Sequence, residues 1–151
     1  MKNMEWKFKQ FNQLSLDELY GILKLRSEVF VVEQNCAYQD LDDKDKFAYH
    51  MFLQEDDMTI ACLRILPENV AYKEMAIGRV VVKKSFRGQG FSKIMILKAI
   101  EFITCDLAKN KIRLSGQAYL LDFYTSLGFK KVSKIYLEDG IEHYEFLYEF
   151  E

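Results

Sequence analysis

Trp6 and Phe8 alternate with charged neighbours across Glu5 to Phe11, the period of a strand with one buried face. Ser15-x-x-Glu18 follows, a spacing at which each side chain satisfies the other's free backbone donor and so opens a helix. Beyond it Leu19, Ile22, Leu23, Val29 and Phe30 recur at helical spacing as an apolar stripe. From Glu33 to Lys46 the chain turns polar. Two strands are expected next, about Tyr49 to Gln54 and Thr59 to Leu66, joined by a hairpin at Asp56-Asp57. Met75 to Val82 is an almost unbroken apolar run, which points to burial on both faces. A glycine-bearing turn leads into a helix from about Gly90 to Leu107. Ile112 to Ser115 reads as a short strand, and Leu121 to Leu127 as a short helix stopped by Gly128. Two closing strands, about Phe129 to Leu137 and His143 to Phe150, flank the hairpin signal Asp139-Gly140. The order β-α-β-β-β-α-β-α-β-β mixes antiparallel runs with helical crossovers and predicts an α+β fold around a mixed sheet.

Composition narrows this picture. At 151 residues, half of them hydrophobic, the chain has the length of a single domain (1–151) with one substantial core. The net charge of −2 and the absence of any long Lys/Arg cluster argue against a nucleic-acid partner. No apolar run is long enough to span a bilayer, and Met1 to Lys9 does not read as a signal, so a cytoplasmic protein is expected. Cys36, Cys62 and Cys105 are widely spaced and read as reduced structural thiols, with a reactive Cys36 the variant. With only His50 and His143 besides, no metal site is expected. The oligomeric state stays open, a homodimer included.

The chemistry lies where the apolar strand runs through Lys83-Lys84-Ser85-Phe86 into Arg87-Gly88-Gln89-Gly90-Phe91-Ser92. A helix start presents backbone N–H groups without intrahelical partners, and its dipole favours an anion there. Glycines let that anion approach the backbone, and Arg87 adds a planar positive fork suited to phosphate oxygens. The spacing fits neither a Walker loop nor the dinucleotide fingerprint, since Lys93 stands where the latter needs a third glycine. Taken alone, the segment is equally consistent with a tight turn and a helix cap.

Arg87-x-x-Gly90-x-Ser92 resembles the acetyl-CoA pyrophosphate loop of GNAT acetyltransferases, with Ser92 where Gly or Ala is usual. Downstream, Gln117 with Phe123-Tyr124-x-x-x-Gly128-Phe129 is similar to the family's second signature, Gln117 replacing the usual Asn. Arg26-x-x-Val29-Phe30-Val31-Val32-Glu33-Gln34, the run Tyr38-Gln39-Asp40-x-Asp42-x-x-Asp45, His50 and Glu138-Asp139-Gly140-Ile141-x-His143 resemble the ElaA-like branch.

That resemblance implies a GNAT-type fold, with a mixed central sheet of about seven strands flanked by helices. It also implies N-acetyl transfer from acetyl-CoA to a primary amine of an unidentified acceptor. The cosubstrate would lie along Val80, Val81 and Val82, against Arg87, Gly88, Gln89, Gly90, Phe91 and Ser92, and near Gln117 and Tyr124. A backbone N–H near Val80 would polarise the thioester carbonyl. Tyr124 matches the general acid, and an ordinary phenol near 10 differs little from a thiol near 8.5. The base stays open among Glu33, His50 and His143, directly or through water, since the strand centre holds Gly78 and Arg79 while Glu74 lies near its start. Arg26, on the helix's apolar stripe, is expected to pair with a buried carboxylate, or else to touch substrate. The acidic run Asp40-Asp42-Asp43-Asp45 reads as a solvated loop, the alternative being a rim that attracts a cationic amine. An acyl-CoA sensor without turnover and a structural domain that binds no CoA are the competing readings.

Overall fold

A computed structural model describes residues 3–150. The strands are β1 (Met4–Gln10), β2 (Tyr49–Glu55), β3 (Met58–Leu66), β4 (Met75–Val82), β5 (Lys111–Gln117), β6 (Lys130–Lys131), β7 (Tyr136–Glu138) and β8 (Ile141–Glu149). They form one mixed sheet in the order β1-β2-β3-β4-β5-β8-β6, with β7 also paired to β8. Among the described residues only β4 and β5 run parallel, and they pair at just two positions, Met75 with Ile112 and Ala76 with Arg113. Beyond that point the two strands part.

The α+β mixed sheet read from the sequence is present, with eight strands where about seven were expected. The extra strand arises because the predicted run Phe129 to Leu137 is interrupted. Val132 N–H still donates to the Glu145 carbonyl (2.9 Å), but Glu145 N–H donates to the Ser133 hydroxyl (2.8 Å). A side chain thus replaces the ladder's backbone acceptor, and regular pairing resumes only at Tyr136.

Helix α1 (Leu16–Arg26) starts as the Ser15/Glu18 spacing predicts. Glu18 N–H donates to the Ser15 hydroxyl (3.0 Å), and Ser15 N–H donates to the Glu18 carboxylate (2.9 Å). Lys7 and Lys9 of β1 donate to the same carboxylate at 3.0 and 2.9 Å, which ties strand to helix. Burial alone would raise the Glu18 pKa, but the Ser15 N–H and the two lysines outweigh it and hold it at about 2. The helix then widens into π-helical turns, Ser27–Glu33, so Glu33 closes it rather than opening the polar segment. Its buried stripe is Ile22, Leu25 and Val29 with Glu18 and Arg26, while Leu19, Leu23 and Phe30 are only half-buried. Polar residues with partners took positions that a purely apolar reading assigns to leucine. Helix α2 (Phe91–Glu101) likewise ends in π-helical turns, Phe102–Asp106, and α3 (Leu121–Ser126) is short.

The two long helices cover opposite faces. Met95, Ile96, Ala99 and Ile103 pack with Met51, Leu53, Leu63, Ile65 and Ile77, whereas Ile22, Leu25 and Val29 pack with Phe52, Cys62 and Val81. The alternation along β2, β3 and β4 is the strand period with both faces buried. Each fully buried Phe, Leu or Ile contributes roughly 1.5–3 kcal/mol relative to exposure.

The acidic segment is not a solvated loop. Asp40 and Asp45 are buried, and Arg26 donates to them at 2.8 and 2.6 Å, the buried-carboxylate pairing expected of that arginine. Arg64 forks onto Asp42 (2.8 and 2.6 Å) and reaches Asp45 (3.1 Å), while Arg79 donates to Asp40 (2.8 Å). Three arginines balance three aspartates, which is how charge is kept inside. Asp43 alone of the run stays exposed.

Candidate active site

The parting of β4 from β5 opens a cleft of about 660 Å³. At one end lies the turn into α2. Gly88 and Gly90 adopt φ of +80° and +81°, a region that L side chains rarely visit. An added Cβ at either would meet nothing within 4 Å. The glycines are therefore there for backbone shape and for space, which is what a large anion seated on the turn requires. A connected hollow of about 180 Å³ is lined by Arg87, Gly88, Gly90, Phe91 and Ser92. Arg87 donates from Nε to the Val82 carbonyl (3.0 Å) and through its two terminal nitrogens to Glu33 (2.5 and 3.0 Å). Its cationic fork is thereby fixed over the end of β4. The donor set, a glycine-capped helix start plus one oriented guanidinium, suits a pyrophosphate. Gln89 is exposed and lines neither space.

Midway, β4 carries one residue too many. Cys62 pairs with Val81 and Arg64 with Gly78, so two steps on β3 oppose three on β4. Arg79 absorbs the excess at φ +51°, and Arg79 and Val80 pair with no residue of β3 or β5 among those described. Val80, Val81 and Val82 all line the cleft. An unpaired, bulged backbone beside a splayed neighbour is an edge open to an extended ligand.

Tyr124 reaches the cleft from α3. Its ring packs against Phe146 (centroids 4.9 Å), Phe123 (5.3 Å) and Phe129 (6.0 Å). Gly116 of β5 makes room for it, since a Cβ there would stand 2.6 Å from the Tyr124 ring. The hydroxyl makes no hydrogen bond among the described residues, which leaves it free for a group in the cleft. Burial pushes its pKa up to about 12. Burial makes this phenol a weaker acid than an ordinary one, and its unpaired hydroxyl can donate a hydrogen bond to a group in the cleft.

A polar cluster also lines the cleft. His143 Nδ1 donates to the Ile141 carbonyl (2.7 Å), which fixes the tautomer and leaves the Nε2 lone pair available in the neutral ring. Nε2 lies 3.4 Å from the Glu138 carboxylate, and the ring stacks on Tyr136. Ser115 is hydrogen-bonded to the Tyr136 hydroxyl (2.5 Å) and donates to Glu138 (3.3 Å). Ser115, Tyr136 and Glu138 were not singled out as site residues. The alternation of Arg113, Ser115 and Gln117 with Ile112, Leu114 and Gly116 marks the polar face of β5 that carries Ser115.

The structure thus brings Tyr124, Glu33, His143 and Gln117 to the same cleft. His50 does not join them. It is buried outside the cleft, donates from Nε2 to the Asp45 carbonyl (2.9 Å), and is held neutral by burial. Glu33 is engaged with Arg87, whose hydrogen bonds hold its pKa down, which disfavours it as a proton acceptor. Glu74 pairs with Arg113 (3.1 and 3.0 Å). Cys36 lines the cleft, 3.9 Å from the Asp139 carbonyl, whereas Cys62 is buried with its thiol pushed up to about 12.

A sheet splayed between its two parallel strands, with a glycine-capped helix beside the split, defines the acyl-CoA N-acyltransferase class of fold. The acyl-CoA N-acyltransferase of Pseudomonas aeruginosa superposes with a TM-score of 0.92 at 36% identity, covering 97% of this chain and 99% of that one. Escherichia coli ElaA superposes at 0.91, also 36% identical, over 97% of this chain and all of that chain (100%). The family model "Acetyltransferase (GNAT) domain" matches residues 13–150, and the chain belongs to that family. Within it the similarity is to the ElaA-like branch. Protein ElaA of E. coli K12 is 38% identical over 142 residues, 93% of each chain. A UPF0039 protein of Schizosaccharomyces pombe is 42% identical over 147 residues, 96% of this chain and 97% of the relative. Among the described residues no helix is long and apolar enough to cross a membrane.

Proposed function

We propose that the protein transfers the acetyl group of acetyl-CoA to a primary amine. The observation that carries this is that Arg87, Ser92, the Tyr124 phenol and the His143 imidazole line one cleft, with the Gly88–Gly90 turn in an adjoining hollow that shares Arg87 and Ser92. Acetyl-CoA supplies the activated acetyl group as a thioester. Arg87 and the amides at the start of α2, freed by Gly88 and Gly90, would hold its pyrophosphate, with Ser92 as an added hydroxyl donor. The unpaired edge at Val80 to Val82 would hold the pantetheine arm, and the Val80 N–H would face the thioester carbonyl, where negative charge develops.

His143 is the best-supported base of the three candidates. Its Nε2 would take the proton from an amine resting near Glu138, and the carboxylate would stabilise the imidazolium that results. Tyr124 would donate a hydrogen bond to the sulfur as the carbon–sulfur bond breaks, and the CoA thiolate would leave to take its proton from solvent.

The test is thiol release from acetyl-CoA against a panel of primary amines, with calorimetric titration of CoA alongside. Binding with amine-dependent release is expected, and His143→Gln should lower kcat while leaving CoA affinity intact. Binding without release under any amine would favour a sensor, and no binding at all would refute the reading.

A further inference from the structure

Arg79 lies where β4 leaves the regular ladder, in a conformation that is unfavourable for a residue bearing a Cβ. The bulge needs a tether, and the side chain supplies one. Arg79 Nε donates to the Asp40 carboxylate (2.8 Å), and its terminal nitrogen donates to the Asp40 carbonyl (3.2 Å). Asp40 is itself immobilised: Arg26 holds its carboxylate (2.8 Å) and carbonyl (3.3 Å), and Tyr38 donates to it at 3.0 Å. Arg26 is 1% exposed and sits on α1, so the tether is anchored to a buried helix residue. The guanidinium also lies over the Tyr38 ring, 5.9 Å from its centroid.

We infer that Arg79, clamped by Asp40, is a positioning residue that holds the β4 bulge and thereby aims the Val80 backbone N–H into the cleft. This rests on the reading that the Val80 N–H stabilises the thioester carbonyl during acyl transfer. The clamp acts through φ at position 79, and this separates it from a merely structural ion pair. Alanine at 79 loses the tether and keeps the penalty for φ of +51°, so the bulge relaxes. Glycine at 79 loses the tether and the penalty together, so the bulge can persist without Asp40. Removing a whole oxyanion donor costs about 10²–10³-fold in kcat, and a misaimed one correspondingly less.

The experiment compares Arg79→Ala, Arg79→Gly and Asp40→Asn, the last also in the Arg79→Gly background. Each is measured for kcat, KM, CoA affinity by calorimetry, melting temperature and amide hydrogen exchange across residues 79–82. Arg79→Ala is expected to lower kcat by about 10- to 100-fold with little change in CoA affinity, and to speed exchange at 79–82. Arg79→Gly should recover most of the kcat and of the protection. Asp40→Asn should lower kcat in the wild-type background and add little in the Arg79→Gly background. Asp40→Asn removes one of the two carboxylates that hold buried Arg26 and leaves Asp45, so if it fails to fold, the Ala/Gly contrast at 79 decides the matter alone. Equal kcat and equal exchange in the Ala and Gly variants would overturn the inference. An inactive wild type would instead overturn the transfer reading, and the exchange contrast would still decide whether the clamp holds the bulge.

Discussion

Tyr124→Phe removes one oxygen from the cleft lining and leaves the packing in place. The ring's contacts with Phe146, Phe123 and Phe129 are those of a benzene ring, and the hydroxyl bonds to no described residue. Folding stability should therefore change by less than about 0.5 kcal/mol. CoA affinity should also hold, because the anion cradle lies at Arg87 and Gly90. The kinetic effect is different. With its pKa near 12, the phenol stays protonated throughout the neutral and mildly alkaline range and stabilises a departing thiolate by donating to it. A hydrogen bond to a charged group contributes about 1.5–3 kcal/mol, so kcat should fall about 10- to 150-fold. The pH profile of the variant should keep the shape of the wild type, because Tyr124 does not titrate in the working range. The assay is steady-state thiol release across pH, with a thermal melt and a CoA titration on the same samples. Wild-type kcat in Tyr124→Phe would remove the residue from the chemistry. A kcat loss matched by an equal loss of melting stability would make it a packing residue only.

Arg87→Ala should weaken CoA binding by about 1.5–3 kcal/mol, the scale of a charged hydrogen bond, as read by calorimetry. Glu33→Gln frees Arg87 from its carboxylate partner, so CoA should bind as tightly or tighter with kcat retained; a large loss of kcat would make Glu33 the base after all. Gly90→Val puts a branched side chain at φ +81° and into the open side of the turn, and should abolish measurable CoA binding in a protein that still melts cooperatively. In Gly116→Ala the new Cβ meets the Tyr124 ring at 2.6 Å, so stability should drop by about 1–3 kcal/mol in thermal melts and kcat should fall with it. Glu18 titrates near 2 folded against its usual 4.5, so its stabilising contribution is complete above pH 4.5 and disappears as pH falls towards 2. Glu18→Gln should accordingly flatten the loss of stability between those pH values, measured by denaturant melts.

Strand and helix order was legible because most elements advertise themselves locally: the Ser15/Glu18 box, the Asp56-Asp57 and Asp139-Gly140 turns, and the apolar run Met75 to Val82. What escaped was set by partners distant in sequence. Nothing near Asp40 or Asp45 says that Arg26, Arg64 and Arg79 will converge on them, so an acidic stretch looked like solvent-facing loop. Ser133 gave no local sign that its hydroxyl would stand in for a backbone acceptor. The anion cradle could be found because its glycines and arginine are contiguous. Of the polar cluster only His143 could be named, since Ser115, Tyr136 and Glu138 join it only when β5, β7 and β8 pair. The bulge at Arg79 is equally a matter of register, invisible until β3 is laid beside β4.

The central claim is that the cleft moves an acetyl group onto an amine. Its most direct measurement is incubation with isotope-labelled acetyl-CoA and a pool of primary amines, followed by mass spectrometry of the products and a parallel assay of free thiol. The account predicts label on an acceptor nitrogen in amounts equal to the thiol released, and neither product when the amine is withheld. Thiol release that is independent of amine, or tight CoA binding with no labelled acceptor from any amine, would contradict it.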